Sequence, residues 1–399
     1  MTARLLFVDD EPFLRDGIRR LLSRRRPDWE LAFADSGTSA LEVMENSSFD
    51  IVISDMRMPG MDGAALLERV RDLDPGVVRI ILSGQSDRGA ALRAAKVAHQ
   101  FLAKPFDVLH LEATLDRLCS LRQLMSDNTL QNLVGGIESL PSTPKVYTQL
   151  VELLARDETS LIEVAETLKQ DQAMTAKVLQ MVRSAFFGAH VDTVSIDEAV
   201  ARLGFNVIKS MALTAGVFEA FKQQTDIPGF SVTAEQHHSL NVARACATIL
   251  RGKSEADDAF MAGMLHDAGK LVIASKLPEV LKTVLERASA EQRPMYAVEQ
   301  EELNTTHAEI GGYLLGLWGL PRAVVEAVAY HHAPDRLACP ALDAATAVHV
   351  ADALVRELDP QSEDGCSSSA NPEYLESVGV ANSMEDWRDS IQDLFAGVD

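Results

Sequence analysis

Polar residues of the kinds used in phosphoryl chemistry follow short apolar runs in the first third of the chain. They are Asp9, Asp10, Asp55, Ser83 and Lys104. Three carboxylates in one crevice repel one another, and a divalent cation that prefers oxygen ligands, such as Mg²⁺, relieves that repulsion. A carboxylate beside such an ion can attack phosphorus, because the metal neutralises charge on the transferring oxygens. Lys104 and the Ser83 hydroxyl would then hold the oxygens of the acyl phosphate.

The elements that must position these residues alternate between strands and helices. The apolar runs that predict strands are 5–8, 30–33, 51–54, 77–82 and 100–103. Amphipathic stretches such as Thr38–Asn46 lie between them and predict helices. Strands that alternate with helices form a doubly wound parallel sheet, whose strands end at a common edge. We therefore expect an α/β domain that holds the polar residues in one crevice at that edge.

The first domain resembles the receiver domain of two-component systems, which has a flavodoxin-like fold, over about residues 1–122. The matching motifs are FVDDEP, DIVISDMRMPGMDG, IILSG and FLAKPF. The resemblance implies that Asp55 accepts a phosphoryl group and that a sensor histidine kinase is the partner. It further implies Mg²⁺ binding by Asp9, Asp10, Asp55 and the backbone carbonyl of Arg57, and switching or phosphate contact by Ser83, Phe101 and Lys104. The alternative is a degenerate receiver used only for dimerisation. Because every residue that the receiver chemistry requires is present, we favour a working phosphoacceptor domain. The sequence leaves open whether the protein is also a homodimer.

Helices are predicted for the rest of the chain. One runs through 107–124, and no Gly/Pro-rich spacer precedes Gly135, which predicts mechanical coupling to the next domain. Capping boxes at Ser160–Glu163 and Ser195–Glu198 precede apolar residues at helical spacing. We divide the chain into a receiver domain (1–122), a helical linker (123–132), an all-α domain (133–355) and an acidic C-terminal tail (356–399).

Histidines concentrate in the all-α domain, where seven of the ten lie between His237 and His349. A single imidazole on an apolar helix face is usually a hydrogen-bonded core residue. Several imidazoles that converge from different helices with carboxylates are how helical proteins assemble metal sites. The sequence thus offers a metal centre as the alternative to ordinary core histidines.

The second domain resembles the HDOD family, helical relatives of the metal-dependent HD phosphohydrolases, over about residues 133–352. The matching motifs are LPSTPKVY, DQAMTAKVLQMVRSAFFG, SIDEAVARLG and GMLHDAGK. The order His, His-Asp, His, His-His, Asp is similar to the metal-binding pattern of the HD superfamily. It implies a first metal held by His238, His266, Asp267 and Asp352, a second held by His307, His331 and His332 with Asp267 as the bridge, and a phosphate contact from Lys270. The implied metals are Fe, Mn or Zn.

Two departures separate this domain from the cyclic di-GMP phosphodiesterases of the HD-GYP group. No Gly-Tyr-Pro motif follows His331 and His332, and position 234 is Ala where those enzymes often have Glu. We therefore do not expect hydrolysis of cyclic di-GMP. HDOD domains are generally regarded as signalling modules, so the leading interpretation is an output domain that binds a protein partner or a nucleotide ligand. The alternative is a phospho-regulated, metal-dependent phosphohydrolase or phosphodiesterase.

Composition limits the remaining functions. The chain has 399 residues, of which 47% are hydrophobic and 24% charged, as is ordinary for a globular protein of two or three domains. Its net charge of −22 repels phosphate backbones, so we do not expect direct DNA binding or a transcription factor. Four scattered cysteines argue against a disulfide framework. No apolar run would span a bilayer and the first residues do not resemble a signal peptide, so we expect a cytoplasmic protein without a membrane partner.

Overall fold

The structure is a computed structural model. It describes residues 3–83, 94, 97–124, 128–137, 141–142, 150, 153–154, 159–182, 195–203, 208, 219–220, 227–337, 340–358 and 369–396. The chain divides into two compact units, one built mainly from residues 1–139 and the other from most of the chain after them. No helix of the described part is long and apolar enough to cross a membrane.

A five-stranded parallel sheet forms the core of the first unit. Its strands are β1 (Arg4–Val8), β2 (Glu30–Ala34), β3 (Ile51–Asp55), β4 (Val78–Ser83) and β5 (Gln100–Ala103). They lie in the order β2-β1-β3-β4-β5, and every neighbouring pair is parallel. All of β3 and nearly all of β1 are buried, as expected where helices cover both faces of a parallel sheet. The predicted doubly wound fold is confirmed.

Side-chain caps set where the helices of this unit begin. The helices are α1 (Pro12–Arg25), α2 (Gly37–Asn46), α3 (Gly63–Leu73), α4 (Val108–Leu124) and α5 (Asn128–Gly135). The proline at the start of α1 suits a first turn, which has no use for its missing amide hydrogen. Ser36 caps α2 by accepting from the Ser39 amide, and Asp62 caps α3 by accepting from the Ala65 amide. These caps fix the loops that follow β2 and β3.

Two helices of the first unit follow β5. The helix predicted over 107–124 is present as α4, and α5 follows after residues 125–127, which lie outside the described part. The carbonyl of Gly135, which ends α5, accepts from Arg79 Nη2 at 2.8 Å and from His99 Nε2 at 2.9 Å. His99 Nδ1 accepts from the Arg79 amide, which places the proton of the neutral ring on Nε2. The end of α5, a helix that begins within the predicted linker, is therefore held by Arg79 in β4 and by His99, which precedes β5.

Helices make up most of the described chain after residue 140. They are α6 (Leu161–Leu168), α7 (Gln172–Val182), α8 (Ile196–Leu203), α9 (Val232–Ile249), α10 (Ala256–Leu265), α11 (Ala268–Lys276), α12 (Pro278–Glu291), α13 (Met295–Leu303), α14 (His307–Leu317), α15 (Arg322–Tyr330), α16 (Ala344–Leu358), α17 (Pro372–Val378) and α18 (Met384–Ala396). The helical prediction is confirmed with one difference. Two short strands, β6 (Pro141–Ser142) and β7 (Glu219–Ala220), pair in parallel. Two residues are too few to give the alternating apolar pattern of a strand.

Side-chain caps begin two helices of the second unit. The capping box predicted at Ser160 and Glu163 is present at α6. At α9 the cap is Ser231, whose side chain accepts from the Ala234 amide.

The acidic C-terminal segment contains folded helices. The hydroxyl of Tyr374 in α17 lies 2.6 Å from Thr346 Oγ1 in α16. The amide of Asn371, which caps α17, donates to His349 Nε2 at 2.8 Å. These bonds hold α17 against α16. Residues 359–368 of the predicted acidic tail lie outside the described residues.

Candidate functional sites

The ends of β1, β3 and β5 bring Asp9, Asp55 and Lys104 together. The ammonium of Lys104 lies 2.6 Å from Asp9 Oδ2 and 2.5 Å from Asp55 Oδ1. The two carboxylate side chains are 3% and 12% exposed, whereas that of Lys104 is 25% exposed. One cation thus bridges two nearly buried carboxylates at the sheet edge where the sequence predicts a crevice. We call these three residues the acidic pocket.

Backbone groups hold the remaining oxygens of this pocket. Asp9 Oδ1 accepts from the Glu11 amide at 2.8 Å, and Asp55 Oδ2 accepts from the Arg57 amide at 3.1 Å. Gly63 approaches Asp55 so closely that a Cβ at position 63 would stand 2.2 Å from the Asp55 carbonyl oxygen. The turn after β3 therefore requires glycine at position 63 to keep Asp55 at the sheet edge.

Burial and charge act on the pKa values of the acidic pocket in opposite directions. Burial raises the pKa of Asp55, and the negative charge of Asp9 adds to that rise, while Lys104 opposes it. Burial alone would lower the pKa of Lys104, but the Asp55 and Asp9 carboxylates outweigh it and raise that pKa. Lys104 is therefore charged at neutral pH, and the ionised form of Asp55 depends on a nearby cation.

The other residues of the predicted receiver site lie on, or within two residues after, strands of the same sheet. Asp10 follows Asp9 and is exposed, and Phe101 in β5 is buried. Ser83 is the last residue of β4, but its side chain lies outside the described part. The donor set fits Mg²⁺, because the carboxylate oxygens of Asp9 and Asp55 are hard ligands already gathered around one cation.

The second unit brings together all seven side chains of the predicted histidine and aspartate site. Their ligand atoms form three overlapping groups, in each of which the atoms lie within 4.8 Å of one another. The groups are His238, His266 and Asp352; His266, Asp267 and His331; and His307, His331 and His332. We call these seven residues the HD cluster. Residues from α9, the α10–α11 junction, α14, the end of α15 and α16 contribute to it.

Helix ends fix the tautomers of two histidines in the HD cluster. His266 follows α10 and His331 follows α15, at positions where the last carbonyls of a helix lack amide partners. Nδ1 of His266 donates to the Gly263 carbonyl at 2.8 Å, and Nδ1 of His331 donates to the Val328 carbonyl at 2.8 Å. In the neutral ring the lone pair is then on Nε2 and faces the cluster. Metal-binding histidines are commonly oriented by such a bond.

A buried carboxylate outside the predicted set orients His307. Glu299 Oε2 accepts from Nδ1 of His307 at 2.6 Å and from its amide at 2.8 Å. His307 Nε2 then lies 3.2 Å from Asp267 Oδ1. Glu299 is not among the predicted site residues, because it precedes His307 by eight residues on a different helix, with a left-handed residue, Asn304, between them. No helical periodicity connects the two.

Four buried atoms of the HD cluster have no hydrogen-bond partner among the described residues. They are His266 Nε2, His331 Nε2, His332 Nδ1 and Asp267 Oδ1. His266, Asp267 and His331 also make up one of the three groups of converging ligand atoms. Buried polar atoms without partners are costly, so a native fold normally satisfies them. A transition-metal ion accepts imidazole and carboxylate ligands of this kind, and the cluster therefore fits Fe, Mn or Zn.

Burial and neighbouring charges separate the pKa values of the imidazoles. Burial disfavours the charged form of His266, but the Asp267 carboxylate outweighs it and raises the pKa of His266 to about 10. In the same way Glu299 and Asp267 overcome burial and raise the pKa of His307 to about 9. Burial and the charge of His266 lower the pKa of His331 to about 3. Protons and a metal ion would therefore compete for the first two rings.

Two cations lie against the carboxylates of the HD cluster. Lys270 Nζ is 2.8 Å from Asp267 Oδ2, where the HD resemblance implies a lysine, and it also lies 3.3 Å from Glu235 Oε2. Arg356 Nη2 is 3.2 Å from Asp267 Oδ2, and Arg356 Nε is 2.9 Å from Asp352 Oδ1. Arg356 is not among the predicted site residues, although it lies one turn after Asp352 on the same helix.

Family models match both halves of the chain. The response regulator receiver domain matches residues 5–116, and the HDOD domain matches residues 140–334. The chain therefore belongs to the response regulators of two-component signalling, with a receiver domain followed by an HDOD domain.

Similar proteins include curated relatives and solved structures. An uncharacterized protein of Treponema pallidum is 24% identical over 229 residues, which are 56% of this chain and 44% of that protein. The DNA-binding transcriptional regulator NtrC of Escherichia coli is 34% identical over 158 residues, which are 39% of this chain and 33% of NtrC. The crystal structure of the MmoQ response regulator from Methylococcus capsulatus is 20% identical, with a TM-score of 0.49, and the match covers 64% of this chain and 98% of that chain. The chain thus spans less than half the length of both curated relatives.

Proposed function

We propose that a sensor histidine kinase is the source of a phosphoryl group for Asp55, and that phosphorylation controls the HDOD domain as an output module for a protein partner or ligand. The observation that carries the first part is the Lys104 ammonium, which lies within 2.6 Å of both Asp55 and Asp9. In the phosphorylated pocket the same ammonium would contact a phosphoryl oxygen in place of an Asp55 oxygen.

The other residues predicted for the receiver site would hold the metal and transmit the change. Asp9, Asp10, Asp55 and the Arg57 carbonyl would hold Mg²⁺, which when bound neutralises charge on the transferring oxygens. The Arg57 amide holds Asp55 Oδ2 and so orients the carboxylate towards the donor. Ser83 and Phe101 belong to the adjacent strands β4 and β5, which pair directly. A change at Ser83 would thus be transmitted to the strand that carries Phe101.

Phosphorylation of the purified protein tests this role. Acetyl phosphate with Mg²⁺ should add one phosphoryl group to the full chain, detected by intact mass and by phosphate-affinity electrophoresis. Asp55→Asn should abolish the addition. Asp28→Asn, which removes a 59% exposed carboxylate from the same unit, should behave as wild type. Equal labelling of wild type and Asp55→Asn would reject Asp55 as the acceptor.

The HD cluster supports a second candidate function, a metal-dependent phosphohydrolase under the control of the receiver. The observation in its favour is the convergence of the three unpartnered atoms of His266, Asp267 and His331. A bound metal would supply an activated water there. Lys270 would contact the phosphate of a substrate, and Glu299 would hold the His307 ring in its ligating orientation. The substrate class would be a nucleotide or another phosphoester.

Metal analysis separates the two candidate functions. If the HD cluster is a metal centre, wild type should retain Fe, Mn or Zn in a fixed ratio after gel filtration. His266→Ala combined with Asp267→Ala should lose the metal. If the protein stays metal-free after loading and does not hydrolyse a panel of phosphoesters, the phosphohydrolase is rejected. The HDOD domain is then best described as a module that binds a protein partner or ligand.

A further inference from the structure

The two oxygens of Asp267 face different surroundings. Oδ2 lies 2.8 Å from Lys270 Nζ and 3.2 Å from Arg356 Nη2, and His266 Nε2 also lies 3.1 Å from it. Oδ1 lies 3.2 Å from His307 Nε2 and 3.9 Å from His331 Nε2, and it has no hydrogen-bond partner among the described residues. In the described contacts, the Lys270 and Arg356 cations therefore lie at Oδ2 beside His266, whereas Oδ1 faces the imidazoles of His307 and His331.

Arg356 joins the two carboxylates of the first implied metal site. Its Nε lies 2.9 Å from Asp352 Oδ1, an oxygen that is also 2.9 Å from His238 Nε2. Its Nη2 reaches Asp267, so one guanidinium spans two of the four implied ligands. The Arg356 side chain is only 12% exposed, and those of Asp352 and Asp267 are 3% and 0% exposed. Solvent therefore screens these contacts weakly.

A guanidinium differs from a protonated imidazole in the HD cluster, because it cannot become a metal ligand. An imidazolium releases its proton and then offers a lone pair to the ion. Arginine keeps its charge at any pH a protein survives and has no lone pair to offer. A divalent ion on Asp352 would therefore meet a fixed positive charge on the oxygen that it needs. The contacts described for Asp267 Oδ1 are to His307 and His331, whose neutral imidazoles can offer a lone pair to the ion.

We propose that Arg356 takes the place of the first metal, so that this chain binds one transition-metal ion instead of two. The ion is held by His307, His331, His332 and Asp267 Oδ1. His238, His266 and Asp352 form, with Arg356, a metal-free ion-pair network beside it. This assignment rests on the proposal that the HD cluster is a metal centre, and it makes Arg356 the residue that determines the number of metal ions.

The test is the number of zinc ions bound per full chain. Zn²⁺ is titrated by calorimetry in excess Mg²⁺, so that the receiver carboxylates do not contribute, and bound zinc is counted by mass spectrometry after gel filtration. Wild type should bind one ion tightly. Arg356→Gln should bind two, the second at least about tenfold tighter than any second ion on wild type, which is the scale on which residues around metal ligands change affinity.

Two control variants test whether a positive charge at position 356 itself, and not the total charge of the chain, limits the number of bound ions. Arg356→Lys keeps a cation beside Asp352 and should still bind one ion. Arg388→Gln removes an equal charge from a 39% exposed arginine that pairs with Glu357, and it should also bind one. Two tight ions on wild type, or one on folded Arg356→Gln, would overturn the role of Arg356 while leaving a metal centre in place. No tight zinc on either protein would reject the metal centre and this proposal together.

The location of the ion gives a test that does not depend on the folding of Arg356→Gln. Starting from wild type, His332→Ala should lose the single ion, and His238→Ala should keep it. The reverse result would place the metal with Asp352 and His238, and it would overturn the proposal even though the HD cluster binds metal.

Discussion

At the residue scale, Lys104 determines how the two carboxylates of the acidic pocket coexist. Asp55 and Asp9 both contact the one ammonium, and both are almost buried. Without a cation between them, two buried carboxylates repel each other and at least one takes up a proton. Lys104 and Mg²⁺ are therefore alternative ways of balancing the same charges.

Lys104→Met should show whether Mg²⁺ can balance the charges of Asp9 and Asp55 in place of Lys104. We expect the substitution to reduce the free energy of unfolding by about 1–3 kcal/mol in the absence of Mg²⁺, less than for a fully buried pair because Lys104 is a quarter exposed. Added Mg²⁺ should stabilise the variant more than wild type. Urea unfolding with and without Mg²⁺ measures both effects, with the exposed Arg24→Gln as the control. An equal gain from Mg²⁺ in wild type and Lys104→Met would contradict this account.

The HD cluster predicts a pH dependence of stability in metal-free protein. The pKa values of His266 and His307 are raised from 6.5 to about 10 and about 9. A raised pKa in the folded state stabilises the fold fully below pH 6.5, and the contribution is lost as the pH rises through the folded-state values. We expect the melting temperature of chelator-treated protein to fall between pH 7 and pH 10.

His307→Gln shows how much the His307 imidazole contributes to the fall in melting temperature between pH 7 and pH 10. The variant lacks the group that titrates near pH 9, so its melting temperature should depend less steeply on pH than that of wild type. Thermal unfolding at half-unit pH steps in chelator provides the comparison. The same slope in both proteins would show that His307 is not protonated in the folded state at neutral pH.

The structure places most of the residues singled out in the sequence where their types suggest, but it adds partners that the sequence does not reveal. Asp55 and Lys104 were predictable because each follows an apolar strand, and parallel strands end at one edge. Glu299 was not predictable, because its bond to His307 crosses a turn between two helices. Arg356 shares a helix with Asp352, yet spacing alone did not distinguish it from an ordinary surface pair.

At the element scale, the turn between β3 and α3 determines the position of Asp55. Gly63 is the first residue of α3, and its amide donates to the Met56 carbonyl at 3.0 Å. The Asp55 carbonyl lies directly against its Cα, where a side chain does not fit. The start of α3 and the end of β3 are thus packed backbone against backbone.

Gly63→Ala should destabilise the receiver and reduce phosphorylation. The added methyl would stand 2.2 Å from a backbone oxygen, so the turn must move, at a cost of about 1–3 kcal/mol. Gly17→Ala in α1 is the matched control, because no atom lies within 4 Å of its added Cβ. Alanine in that helix should stabilise by about 0.5–1 kcal/mol. Urea unfolding of both variants measures the contrast, and two effects of the same sign would disprove the packing argument.

The boundaries of strands and helices were predictable where a cap or an apolar run determines them. They were less predictable where contacts with residues distant in sequence determine them. All five predicted strands are present to within one or two residues. The helix predicted over 107–124 is present as α4 (Val108–Leu124). The carbonyl at the end of α5 is held by Arg79 and His99, which are distant in sequence. Such a contact leaves no local pattern.

At the scale of the whole molecule, the acidic pocket and the HD cluster lie in separate compact units. The acidic pocket gathers carboxylate oxygens around one cation, and the HD cluster holds buried imidazoles that fit a transition metal. The net charge of −22 is the reason why the sequence predicts no direct DNA binding. The central claim is that the state of Asp55 controls the HDOD domain.

Hydrogen–deuterium exchange of the full chain tests that claim most directly. Amide exchange is compared with and without beryllofluoride and Mg²⁺, which together imitate a phosphoryl group on an aspartate, in wild type and in Asp55→Asn. We predict that wild type, and not the variant, changes its exchange both around the acidic pocket and in helices of the HDOD domain. Exchange that changes only within the receiver would contradict control of the HDOD domain by Asp55.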